Sequence, residues 1–230
     1  MVNIEDNALI LKDKGPRKIS PFFVPGAIIN MASGNVAIKY NLQGPNISIV
    51  SACSSAGHSI GYSARTISYG DADIMITGGA EAGITPLGLA GFNAAKALST
   101  NNENPESASC PWDKKRDGFL LGEGAGILIL EELESAKSRK AKIYGEVVGF
   151  GQSDDAYHIT APAEDGRGAY NAMINALNDF KAGHDKIDYI NAHGTSTPLG
   201  DVIEAKAISE IFKGRENLSI SSRKSMTGHL

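Results

Sequence analysis

Residues 46–61 read NISIVSACSSAGHSIG, and the change of pattern inside this stretch decides the fold class. The first seven residues, NISIVSA, are a β-branched run suited to a buried strand, while from Ser54 to about Gly70 small residues recur at helical spacing. A strand that passes into a helix within a few residues is the start of an α/β unit, and the pattern recurs along the chain. ADIMITGG (72–79), GAGILILEE (124–132) and KIYGEVVGFG (142–151) read as further strands, with the charged helix pattern ELESAKSRKA joining the last two. After a polar loop come a helix over about 169–180 with Met173, Ile174, Leu177 and Phe180 as its apolar positions, the strand KIDYINA (186–192), a helix from about Asp201 to Phe212, and the short strand LSISS (218–222). This alternation predicts an α/β fold with a largely parallel sheet. The 26 glycines in 230 residues gather at the ends of apolar runs, as tight turns between short elements require. A weak boundary falls near residue 142, with no flexible linker to mark it.

The composition narrows the function. With 42% hydrophobic and 21% charged residues, and 26 acidic against 22 basic side chains for a formal charge of −4, the chain is neither disordered nor collagen-like. Nor does it carry the bulk positive charge of a nucleic-acid binder. Two cysteines, Cys53 and Cys110, make no disulfide framework and no zinc-type spacing, so neither a bound metal nor an oxidising compartment is expected. The N-terminal MVNIEDNALILKDKG has no basic start followed by an apolar core, and no run approaches the roughly 20 apolar residues that span a bilayer. The expectation is a cytoplasmic protein with no membrane partner. The chain stops at Leu230 directly after a Gly-His pair where a loop should feed a helix, and its start is equally abrupt, so a longer protein is expected on both sides.

Cys53 sits where the first strand gives way to its helix, beside unpaired backbone N–H groups and the positive end of the helix dipole. Those conditions favour a thiolate nucleophile, although most cysteines outside disulfides are small buried hydrophobes. Cys110, in ESASCPWD, lacks that context and reads as structural. His193 follows KIDYINA directly, and Lys224 and His229 follow LSISS in the same manner. Each histidine alone reads as an ordinary hydrogen-bonded residue. Together with Cys53, these residues all stand beyond the carboxyl ends of strands, the side on which open α/β sheets bind ligands. His58 falls within the helix after Cys53, His184 in a polar turn, and His158 in a loop as either a pocket residue or a loop hydrogen bonder. Gly57, Ser59 and Gly61 match G-x-S-x-G, but that motif needs its serine on the strand-to-helix turn that Cys53 occupies. Gly57 and Gly61 read instead as close-packing positions. GEGAG and GFG form no phosphate loop. Lys114, Lys115 and Arg116, beside Trp112, read as a solvated basic face.

Taken together, SACSSAG, NAHGTSTPLGD and KSMTGH resemble the three active-site segments of the beta-ketoacyl-acyl carrier protein synthases, on the elongating type II branch of bacterial fatty acid synthesis. The resemblance extends through PFFVPGAIINMASG, PWDKKRDGFLLGEGAG and GFGQSDDAYHITAP. It implies a thiolase-like layered α/β/α/β/α fold, incomplete at both ends, in which 1–141 holds the later part of the N-terminal half and 142–230 begins the C-terminal half. By the same resemblance Cys53 accepts the acyl group, and His193 and His229 assist decarboxylation of malonyl and stabilise the enolate. Lys224 is the active-site lysine, Glu204 its charged partner, and Thr195 and Thr197 hydrogen-bond the phosphopantetheine arm. Lys96 corresponds to a basic position that docks the acidic carrier protein. No cofactor is bound, since phosphopantetheine arrives on the carrier, and the enzyme is a homodimer. Ser51 stands where threonine is usual, and Arg223 where a small polar residue is usual. The chain lacks the late glycine-rich loop of the family, and it spans a little over half the family's length. The remaining readings are a catalytically inactive fragment or partner subunit, a polyketide-type synthase, and an α/β-hydrolase using Ser59.

Overall fold

A computed structural model describes residues 1–230. In chain order the elements are α1 (Val2–Lys14), α2 (Met31–Tyr40), α3 (Ser55–Ser68), β1 (Ile74–Glu81), α4 (Pro86–Ala94), β2 (Gly124–Glu131), α5 (Leu133–Ser138), α6 (Arg167–Phe180), β3 (Tyr189–Asn191), α7 (Gly200–Ile211), β4 (Ser219–Ser221) and α8 (Lys224–Thr227). None of these helices is long and apolar enough to cross a membrane. They fall into two compact units, each discontinuous in sequence: Met1–Gly91 with Glu123–Ile143, and Phe92–Gly122 with Tyr144–Leu230.

In the first unit β1 and β2 pair antiparallel, in register from Ile74↔Glu131 to Glu81↔Gly124. This corrects the expectation of a largely parallel sheet. Period-two alternation is the same in either direction, so strand polarity follows from the route of the chain between strands and not from the strands' own residues. Gly78 shows how closely the ribbon is drawn: at φ +142° a Cβ there would lie 2.0 Å from the Gly126 carbonyl oxygen. Helix α3 lies on the ribbon, and its first turn is equally tight, since a Cβ on Gly79 would sit 2.7 Å from Cβ of Ala56.

The run 46–52, read as a strand, takes part in no ladder, and Ile47 and Val50 are exposed. β-branched residues make a segment fit for a sheet, but the strand exists only where a neighbour receives its hydrogen bonds. The same correction applies to 142–151. In the second unit its C-terminal part lies on α6 instead: the Phe150 N–H donates to the Asp179 carboxylate (2.9 Å), and a Cβ on Gly151 would meet the Ala172 carbonyl oxygen at 2.1 Å.

The second unit is built on the parallel pair β3–β4, with Tyr189↔Ser219 and Asn191↔Ser221 in register. Its core is Ala192, Ile208, Ile211 and Phe212, against which α6 lays Tyr170, Met173, Ile174 and Leu177. Met173, Ile174 and Leu177 are apolar positions visible in the sequence, and Tyr170, in place of the expected Phe180, completes the stripe at i, i+3, i+4, i+7. Segment 92–122 joins this unit through a bridge between Leu121 and His229 and through the Gly118 N–H, which donates to the Ser196 carbonyl (3.0 Å).

Candidate functional site

In the first unit Cys53 occupies a single 3-10 turn, Ala52–Ser54, that opens directly into α3, and its side chain is exposed. Ala52, immediately before it, has φ +51°, a left-handed conformation that side-chain-bearing residues avoid and that surrounding contacts must hold. Those contacts are on both sides of the cysteine. Ser55 Oγ accepts from the Ser51 N–H (3.0 Å) and donates to the Ala52 carbonyl (2.7 Å), while Ser51 Oγ lies 2.6 Å from His58 Nδ1. Ser59 sits inside α3, past the turn, which removes the geometry that G-x-S-x-G requires.

The second unit gathers six of the residues singled out from sequence. His193 follows β3, and Glu204, one turn into α7, reaches back to it: its carboxylate accepts the backbone N–H of His193 (2.6 Å) and of Gly194 (2.7 Å). From β4, Ser222 Oγ donates to the Gly194 carbonyl (2.7 Å) and accepts from the Lys224 N–H (3.3 Å). This ties the two post-strand loops to each other. His229 is held by its backbone, its N–H donating to the Leu120 carbonyl (2.7 Å) and its carbonyl accepting from Gly122 (2.8 Å). The rings of His193 and His229 meet edge to face with centroids 5.5 Å apart, and Phe119 packs 5.1 Å from His229. His229 Nδ1 donates to the main-chain oxygen of Leu230 (2.9 Å), since that oxygen can only accept. Thr195 and Thr197 hydroxyls are bonded to each other at 3.0 Å.

The electrostatics of this cluster are uneven. His193 keeps part of its surface open to solvent, yet the protein packed around the ring lowers its pKa to about 4, with the Lys224 charge and His229 adding to the effect. At neutral pH His193 is therefore an uncharged imidazole.

Beneath these loops is a network that sequence reasoning missed. Asp201, 1% exposed, accepts from the backbone N–H groups of Trp112 (2.8 Å) and Ser196 (3.1 Å) and faces Arg116 Nε at 3.5 Å. Arg116 also donates to the carbonyls of Thr197 (3.0 Å) and Pro198 (2.6 Å), so it is no part of a solvated basic face. A carboxylate this deeply buried recruits a guanidinium whose several donors can meet backbone carbonyls at the same time. Its only signal in the sequence is an acid in the first turn of a helix, a common capping position. Cys110 donates its N–H to Ser196 Oγ (3.0 Å), which accords with a structural role. His158 accepts from Thr160 and Ala161 N–H groups and is a loop hydrogen bonder. Lys96 lies exposed just past α4 with φ +54°.

Comparison with known proteins places this geometry. The family described as Beta-ketoacyl synthase, N-terminal domain, matches residues 1–136, and Beta-ketoacyl synthase, C-terminal domain, matches 144–230. The 3-oxoacyl-(acyl-carrier-protein) synthase 2 of Vibrio cholerae is 58% identical over 229 residues, covering 99% of this chain and 55% of the relative. That of Coxiella burnetii is 58% identical over 228 residues with the same two coverages. The chain thus spans about half the length of the curated relatives it matches. Among solved structures, a type II PKS ketosynthase in complex with its acyl-carrier protein superposes with a TM-score of 0.94 at 36% identity, over 99% of this chain and 57% of that one. A beta-ketoacyl synthase from Burkholderia phymatum gives 0.92 at 37% identity, over 100% and 55%. These ketosynthases share the thiolase-like fold expected from the sequence, and the chain belongs to the beta-ketoacyl synthase family.

Proposed function

We propose that this chain carries the nucleophile and the two histidines of a decarboxylative Claisen condensation that elongates fatty acyl groups on an acyl carrier protein. The observation that carries the reading is the uncharged His193 held edge-on to His229 beyond the carboxyl ends of β3 and β4. Cys53 attacks the acyl thioester, the bond from the acyl carbon to the carrier's phosphopantetheine sulfur breaks, and the thiol proton passes to that departing sulfur. Malonyl-carrier protein then loses carbon dioxide, and the resulting enolate oxygen accepts a hydrogen bond from neutral His193. A charged imidazolium would give up its proton and quench the carbanion, so the lowered pKa of His193 suits the step. The carbanion attacks the Cys53 thioester carbonyl, the bond from the acyl carbon to Sγ breaks, and Cys53 leaves as a thiolate that regains its proton from water. Burial keeps His193 uncharged and the Lys224 charge adds to it, Glu204 fixes the His193–Gly194 backbone, and Thr195 and Thr197 present the hydroxyls for the phosphopantetheine arm.

The partner in this reading is an acidic carrier protein docked near Lys96; the carrier-bound ketosynthase neighbour supports a carrier protein as the partner. The protein needs no bound cofactor, acts as a homodimer and works in the cytoplasm. A fatty-acid role is favoured over a polyketide role because the synthase 2 relatives are 58% identical and the polyketide ketosynthase 36%. Intact mass after mixing with acyl-carrier protein tests the proposal. The expected result is a gain of one acyl group that Cys53→Ala abolishes and Ser59→Ala does not. A gain that survives Cys53→Ala refutes the assignment, and no gain at all favours the inactive-fragment reading.

A further inference from the structure

We infer that His58 is a positioning residue for the nucleophile turn, acting through the hydroxyl of Ser51. The inference rests on Cys53 being the acyl acceptor. Ala52, at φ +51°, must be held in its left-handed conformation from outside. Two side chains of α3 do so from the two ends of one helical turn. Ser55 Oγ takes the Ser51 N–H and gives its own proton to the Ala52 carbonyl. His58, three residues further along the helix, closes on Ser51 Oγ at 2.6 Å. The residue before the strained position is thereby bonded at both its backbone and its side chain to a helix that is itself seated on β1 at Gly79. Without the imidazole, Ser51 keeps only its backbone tie, and the turn is free to relax toward right-handed φ with Cys53 displaced. Threonine at position 51 would keep the hydroxyl and hence the clamp.

The test is single-turnover acylation of Cys53 from acyl-carrier protein, run in parallel with its alkylation by iodoacetamide, each read as the mass of the Cys53 peptide. His58→Leu and Ser51→Ala are each expected to slow acylation about tenfold, a fraction of the roughly hundredfold cost of a 1 Å misplacement. The double variant should be no slower than either single one, because both remove one interaction, and Ser51→Thr should match the wild type. Multiplicative losses in the double variant, or a Ser51→Thr as slow as Ser51→Ala, overturn the inference. Should His58→Leu not fold, His58→Asn and the Ser51 pair carry the same comparison. If the wild-type chain takes up no acyl group, the condensation proposal fails, and the alkylation rates then decide the clamp: the same order of variants supports it, and equal rates refute it.

Discussion

Replacing Gly79 with alanine tests whether the first turn of α3 has any freedom to move. A Cβ at Gly79 would stand 2.7 Å from the Ala56 Cβ, whereas two carbons sit at optimal separation at roughly 3.5–4.0 Å. The shortfall is about 1 Å, and Ala56 is a backbone-fixed methyl that cannot rotate away, so the helix turn itself must lift from β1. Overpacking of this kind costs about 1–3 kcal/mol, which for a chain of this size lowers Tm by roughly 2–12 °C. Since Cys53 is three residues upstream on the same turn, a displacement near 1 Å is expected to slow its acylation by about a hundredfold. The control is Gly57→Ala on the same helix: a Cβ there meets nothing within 4 Å, so Gly57 is exposed and not the close-packing position its sequence suggested, and the helix propensity of alanine should raise stability by up to about 1 kcal/mol. Thermal melts by circular dichroism and the Cys53 rate give both quantities. A Gly79→Ala protein with unchanged Tm and an unchanged Cys53 rate would show that the turn accommodates the methyl freely and that the tight seat on β1 does not position the cysteine.

Three further outcomes follow from the second unit. His193 titrates near 4 in the folded chain against 6.5 for an ordinary histidine; its contribution to stability is thus fully present above about pH 6.5 and is lost as the pH falls toward 4. Lys224→Gln should raise the His193 pKa, measured by NMR titration, while leaving it below 6.5 because burial is the larger cause; an unmoved titration would refute the role given to the lysine charge. Asp201→Ala removes the acceptor of two backbone N–H groups and the partner of Arg116, and should cost about 3–5 kcal/mol by denaturant unfolding; a loss below 1 kcal/mol would mean that water replaces the carboxylate.

Much of the candidate site is legible in the sequence alone. A cysteine at the start of a helical pattern, and histidines and a lysine after apolar β runs, announce themselves because local pattern shows where a helix starts. The bounds of α3, α6 and α7 fall within a few residues of the helical patterns read from sequence. Strand pairing was not legible. The run NISIVSA has the residues of a buried strand and no ladder, and GAGILILEE pairs antiparallel to ADIMITGG where a parallel partner was expected. Hydrogen-bond partners of a strand come from elsewhere in the chain, and nothing in its own side chains records them.

The same division separates the residues proposed to react from those that hold them. Cys53, His193 and His229 were picked out by type and by place along the chain, which depend on local order alone. The supports, namely His58 closing on Ser51, Glu204 taking the His193 and Gly194 N–H groups, and Arg116 buried beside Asp201, are contacts between elements up to about 85 residues apart. Each is a capping acid, a surface-type base or a helix histidine when read along the chain. Only folding, by removing water from around Asp201 and His193, turns them into a buried ion pair and an uncharged imidazole, because the cost of burying a charge is set by neighbours in space.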